Sequence, residues 1–205
     1  GSEGIRGRLI ETSWEGNVTP LDFYCRPDGT FQHTKLFEAD YNVRVDGPFV
    51  PIYVEDQNGV PIVNKTQDIH LKGEEYLTFE VQPFLRVELD DTPMISDGVI
   101  TARVKVDRGV SKDDFKKVVA QTGDYSDSYL NMTDIQLFVS YSSSCGYRAR
   151  DERWSNEILY SGKAFETQFG KTITITSNPK NPIPSGRKVF IRAAARINYD
   201  TPAGS

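Results

Sequence analysis

Two tryptophans carry the best candidate chemistry in this sequence. Trp14 sits in Thr12-Ser13-Trp14-Glu15-Gly16-Asn17, and Trp154 in Asp151-Glu152-Arg153-Trp154-Ser155-Asn156. Each is a flat ring among short polar and charged residues, outside any apolar run. A ring beside amide, carboxylate and guanidinium groups suits the apolar face and hydroxyl rim of a sugar. Tyr125 and Tyr129 lie in a further polar stretch, and Tyr147 neighbours Arg148 and Arg150. The candidate carbohydrate contacts are therefore Trp14, Asn17, Trp154, Tyr125 and Tyr129. The competing expectation is that these amphipathic rings seal the ends of folded layers. Arg103, Lys105, Arg192 and Arg196 fall on the outward phase of two strand patterns and could form a basic stripe. The competing expectation there is a solvated strand face balanced by acids.

Other site chemistry is missing from the sequence. The two histidines, His33 and His70, have no Gly-x-Ser-x-Gly elbow near either. No His-Glu-x-x-His, Cys-x-x-Cys or phosphate-loop pattern occurs. Glu74-Glu75, Asp90-Asp91 and Asp113-Asp114 are adjacent acids at turns or at a helix start. Neighbours on a strand point to opposite faces, whereas a glycosidase pair converges across a cleft. Asp124-Tyr125-Ser126-Asp127-Ser128 offers oxygen ligands but lacks the regular calcium-loop spacing. The reading is a chain with no catalytic residue, no metal and no cofactor. A hydrolase is the enzymatic alternative, and it has no residue set to name.

With 205 residues, 38% of them hydrophobic, the chain can bury a real core. A net charge of −5 argues against nucleic acid as a partner, and no apolar run is long enough to span a bilayer. Cys25 and Cys145 are far apart and share no metal-like spacing with either histidine. Both are expected to be free thiols, with Cys25 a small core residue in phase with Leu21 and Phe23.

The elements that must position these residues are strands. Leu21, Phe23 and Cys25 alternate with polar neighbours, as do Tyr41, Val43 and Val45, and Leu77, Phe79 and Val81. Asn58-Gly59 is a tight-turn dipeptide between two further strands. After Pro83 a fresh strand begins, so the domain boundary falls there. Downstream, Ile100, Ala102, Val104 and Val106 form one inward face, Ile135, Leu137 and Val139 another, and Ile173 and Ile175 a third. Val189, Ile191, Ala193, Ala195 and Ile197 form the last. Ser111-Lys112-Asp113-Asp114 opens one short helix, with Ser as cap and the acids at the positive dipole end. The fold class is all-β: two β-sandwich domains, with one short helix in the second. The domains are residues 1–83 and 84–205.

The sharpest local signal is Pro27-Asp28-Gly29-Thr30-Phe31, a turn in which Pro presets φ and Asp caps its own backbone. Together with Thr34-Lys35-Leu36-Phe37 and Gly47-Pro48-Phe49-Val50, it resembles a Bacteroidetes family of surface lipoproteins of unknown function. Family members are encoded beside starch-utilisation-type outer-membrane glycan importers. The resemblance implies a transthyretin-like or carboxypeptidase-regulatory-like first domain and an immunoglobulin-like second. It also implies an outer-membrane lipoprotein at the cell surface, held by a lipid anchor outside this chain, with a glycan and importer components as partners. A strand before Gly4 and a final strand after Ser205 are further implied, and Ala39 stands where the family usually has Gly. The functional reading is a non-catalytic accessory protein of glycan acquisition. The alternative is a structural spacer or protein-interaction module with no small ligand.

Overall fold

Alternating apolar positions become strand faces that share a core. The computed structural model describes residues 4–26 and 28–201, so Pro27 of the turn lies outside the described residues. Strands make up 39% of it and helix 8%, which is the all-β architecture expected. The chain divides into two units. One holds the chain up to Pro83 together with Val110–Tyr125, and the other holds Phe84–Gly109 with Ser126–Tyr199.

The N-terminal unit contains β1 (Arg6–Glu11), β2 (Leu21–Tyr24), β3 (Ala39–Asp46), β4 (Tyr53–Glu55), β5 (Pro61–Asn64) and β6 (Gln67–Leu71). Four of these form an antiparallel sheet in the order β2-β1-β3-β6, and β4 pairs with β5. Tyr41 and Val43 bury their side chains with Leu9, and Leu36, Ile69, Leu71 and Leu77 pack against them. Val45 joins Phe49 and Ile52 in an adjoining cluster. Each fully buried aliphatic side chain contributes about 1.5–3 kcal/mol before entropy is counted. The other face of the sheet is charged. Arg8 grips Asp22 through Nε at 2.7 Å and Nη2 at 2.8 Å. Arg6 reaches Asp46 at 2.8 Å and Asp22 at 3.3 Å. The Asn58-Gly59 turn closes the hairpin, with Gly59 at φ 78°.

Leu77 to Val81 alternate but do not form a strand. Leu77 and Phe79 still pack on the core. Instead of a ladder, the Gln67 carboxamide donates to the Thr78 carbonyl at 2.8 Å. Alternation supplies a face to bury, and pairing needs a partner edge as well. Cys25 is buried as a free thiol, its pKa pushed up by desolvation, and no bridge joins it to the buried Cys145.

The helix, α1 (Lys112–Val119), is capped as its sequence dictates. Ser111 Oγ accepts from the Asp114 amide at 3.0 Å, and Phe115 and Val119 are fully buried. The sequence places α1 in the second domain. Its contacts group it with the N-terminal unit instead. The 3-10 turn that follows it, Ala120–Thr122, meets β4.

The C-terminal unit contains β7 (Leu85–Leu89), β8 (Met94–Ser96), β9 (Val99–Arg108), β10 (Met132–Ser140), β11 (Asn156–Leu159), β12 (Thr172–Thr176) and β13 (Phe190–Ile197). One sheet runs β12-β9-β7 with β8 on β9, and the other runs β11-β10-β13. Their inner faces share one core. Ala102, Val104 and Val106 of β9 meet Ile135, Leu137 and Val139 of β10, with Ile173 and Ile175 of β12. Sheets packed face to face on interdigitated side chains are a sandwich.

Candidate functional site

Strand register fixes which loops meet at the end of the N-terminal sheet. Glu11 at the end of β1 pairs with Tyr41, and Ala39 at the start of β3 pairs with Leu71 at the end of β6. Three segments therefore emerge at one end of the sheet: the loop after β1, the approach to β3 and the exit from β6. Each carries an exposed aromatic ring, namely Trp14 at 70% exposure, Phe37 at 85% and Tyr76 at 88%. Leu36 and Leu77, next to Phe37 and Tyr76 in sequence, are held against the Leu9–Tyr41–Val43 core. Once those leucines face inward, their neighbours face out.

The same end is pinned by polar contacts. The Thr12 amide donates to the Asp40 carbonyl at 2.8 Å, and the Tyr41 hydroxyl donates to the Phe37 carbonyl at 3.1 Å. His70 lies 2.7 Å from Asp40, Lys72 lies 3.6 Å from Glu38, and the Tyr76 hydroxyl donates to Glu74 at 3.1 Å. Asn17 is exposed on the Trp14 loop. Phe37 and Tyr76 escaped the sequence reading because each adjoins a core leucine. Paired apolar residues in a polar segment, Leu36-Phe37 and Tyr76-Leu77, were the available signal.

The other sequence candidates are not brought to this place. Trp154 corrects the expectation outright: it is only 4% exposed and belongs to the C-terminal core. Its ring meets Tyr141 edge-on at 4.8 Å, and the Arg153 guanidinium sits 4.9 Å over it. Arg153 in turn binds Asp151 at 2.7 Å, which holds the Asp151 carboxyl below its ordinary pKa. The polar sequence around Trp154 is thus spent on one another, and the ring faces inward. Tyr125 is half-buried, tilted against Phe115 at 6.5 Å with Lys116 5.1 Å over its ring. Tyr129 is half-buried against Tyr199 at 5.3 Å. These two tyrosines belong to different units. The basic stripe does not form either. Arg103 and Lys105 are on β9, Arg192 and Arg196 are on β13, and these strands lie in separate sheets. Arg103 faces Asp90 and Asp91, Lys105 faces Asp107, and Arg196 faces Asp134.

The outer face of the β11-β10-β13 sheet holds a cleft of about 270 Å³, lined by Gln136, Phe138, Arg150, Glu152, Ser155, Asn156 and Glu157. Arg150 is fixed over the Tyr147 ring at 4.2 Å, donates to the Tyr147 carbonyl at 2.7 Å and pairs with Glu152 at 3.1 Å. Beside it Asp134 is fully buried, binding Arg196 Nη2 at 2.8 Å and accepting from Gln136 at 2.7 Å. The hydrogen bond that Arg196 donates to Asp134 raises the Arg196 pKa. Among the described residues, no group of three or more His, Cys, Asp or Glu side chains could hold a metal ion. Nor, among the described residues, is any helix long and apolar enough to cross a membrane.

Fold and surface together define an all-β, sheet-built protein whose described residues offer exposed rings and a shallow polar cleft. The chain belongs to the DUF3823 family: it is 56% identical to a family member from Bacteroides uniformis, covering 100% of this chain and 84% of that one with a TM-score of 0.93. A DUF3823 protein from Parabacteroides merdae shares the fold at 14% identity, covering 96% and 81% of the two chains with a TM-score of 0.60. A Bacteroides uniformis protein provisionally named as carbohydrate binding shares it at 16% identity, covering 94% and 78% with a TM-score of 0.62. No family model matches the sequence, and no curated protein does.

Proposed function

We propose that this chain is a non-catalytic glycan-binding accessory protein of a glycan-acquisition system, displayed at the cell surface. The observation that carries the reading is the trio Trp14, Phe37 and Tyr76, three large rings left in water at one end of one sheet. Exposed rings of this size cost free energy unless something covers them. A sugar covers a ring with its apolar face and offers hydroxyls to the carboxylates around it. Glu15, Glu38, Glu74 and Glu75 are exposed on the same segments, so a neutral glycan suits this rim. Asn17 adds a carboxamide on the Trp14 loop. The provisional name of one distant structural relative points the same way for that relative. An outer-membrane lipid anchor and importer components as partners complete the proposal.

The test is titration with a panel of neutral oligosaccharides. Stacking on an open surface buries little area, so dissociation constants from micromolar to millimolar are expected, about −4 to −8 kcal/mol. Trp14→Ala should weaken binding at least tenfold with an unchanged melting temperature. Equal binding by the wild type and Trp14→Ala, or no binding by any glycan, would sink the reading. A second reading, a partner-binding module, draws on Met94 and Ile95, large apolar residues exposed on the β8 hairpin.

A further inference from the structure

We propose that the cleft on the outer face of β10 is a separate sugar site that takes one neutral hexopyranose unit. It rests on the glycan reading for its ligand class only, because its residues all lie in the C-terminal unit. Its volume of about 270 Å³ is just below the range of drug-sized ligand pockets, roughly 300–1,000 Å³, which suits one ring and not an extended chain.

The lining matches the chemistry of a pyranose. Sugar hydroxyls both donate and accept. Glu157, which pairs across the strands with Gln136, offers an exposed carboxylate as acceptor, and Glu152 offers another. Gln136 and Asn156 each spend the amide nitrogen internally, on Asp134 at 2.7 Å and on the Thr176 carbonyl at 3.0 Å. Gln136 lies on the outward phase of β10, so its carboxamide oxygen is the end left for a ligand, whereas Asn156 pairs with core-facing Leu137 and its side chain is spent on the facing sheet. Arg150 brings the donors and Phe138 an apolar wall. Glu152 is paired with Arg150 and Glu157 lies beside Arg196, so the cleft carries no excess positive charge to select an anionic sugar.

The cleft is also pre-built. Asp134 is fully buried, and it accepts from Arg196, Gln136 and Thr133. A pair with a buried carboxylate and a guanidinium 40% exposed is a poor source of stability, since desolvating the carboxylate offsets the attraction. What it achieves is orientation, because it locks the Gln136 amide beside Glu157. Arg150 is locked in the same way by the Tyr147 ring and carbonyl. Fixed polar groups lose little entropy on binding. Glu152 and Glu157 are both open to solvent. A glycosidase acid is shielded from water, so this cleft holds sugar without cleaving it.

The experiment is a nuclear magnetic resonance titration of the full chain with glucose, galactose, mannose and N-acetylglucosamine, and with glucuronate as the anionic control. At least one neutral sugar should shift the backbone amides of β10 and of residues 150–157, with a dissociation constant of about 1–10 mM. Glu157→Gln should weaken those shifts at least tenfold without lowering the melting temperature, and glucuronate should leave them in place. Trp14→Ala should leave the cleft titration unchanged, which separates this site from the N-terminal one. The proposal is overturned if no neutral sugar moves these amides, if Glu157→Gln titrates like the wild type, or if glucuronate alone binds.

Discussion

Replacing Trp154 by alanine removes a ring packed edge-on against Tyr141 inside the C-terminal core. The loss of buried area and the cavity left behind are expected to cost about 3–5 kcal/mol. Trp14 is a tryptophan in equally polar sequence, yet its replacement is expected to stay within about 0.5 kcal/mol, because the ring is 70% exposed. Urea unfolding of both variants checks the pair, and comparable midpoints would contradict the burial difference. The sequence around these rings showed that both were candidates, and it could not rank them. Whether Arg153 and Asp151 face solvent or bind each other at 2.7 Å depends on how the chain turns before β11. That turn is set by tertiary packing, since Ser155 bonds back to the Val139 amide at 3.0 Å. The cleft was equally hidden, because Gln136 and Glu157 become neighbours only through the pairing of β10 with β11.

The outer face of the β2-β1-β3-β6 sheet is expected to give stability an acid limb. Hydrogen bonds from Arg8 hold the Asp22 carboxyl below its ordinary value. A depressed folded pKa means stability that is present above the unfolded value of about 3.9 and lost as pH falls through the folded value. Asp22→Asn should therefore cost under about 1 kcal/mol at neutral pH, a small figure because Asp22 is 32% exposed and screened by solvent. The difference from the wild type should shrink as pH falls below that unfolded value. Thermal melts across pH 2–7 measure it, and a penalty that grows toward low pH would contradict the assignment. Elements with strong period-two patterns, such as β3 and β9, were legible because one face is buried from end to end. β1 was not, since its inward positions include Gly7, where the space a side chain would fill is taken by the Phe31 ring 3.4 Å away. The Leu77–Val81 segment misled in the opposite direction, with an apolar phase and no ladder.

At the scale of the whole chain, the division at Pro83 is crossed twice more, because Val110–Tyr125 returns to the N-terminal unit. The periodicity of α1 predicts the helix, but nothing in its sequence says which core receives Phe115 and Val119. The consequence is testable by cutting the chain. A fragment ending at Pro83 loses α1 and the Ala120–Thr122 turn that meets β4, and with them Gly123, where a side chain would meet Gln57. A fragment starting at Phe84 keeps α1 but has no N-terminal unit for it to join, so Phe115 and Val119 lose the setting in which both are fully buried. Exposing two such residues costs about 3–6 kcal/mol, comparable with the whole stability of a small domain. The fragment starting at Phe84 is therefore expected to be destabilised around α1, and residues 1–83 alone, lacking the segment that meets β4, to give a collapsed or aggregating product. Deleting 110–125 from the full chain should destabilise the N-terminal unit more than the C-terminal one. Amide exchange on the full chain and the deletion variant measures the second effect strand by strand. A well-dispersed spectrum from the 1–83 fragment, or equal loss of protection in β3 and β10, would show that the helix is not part of the N-terminal unit's core.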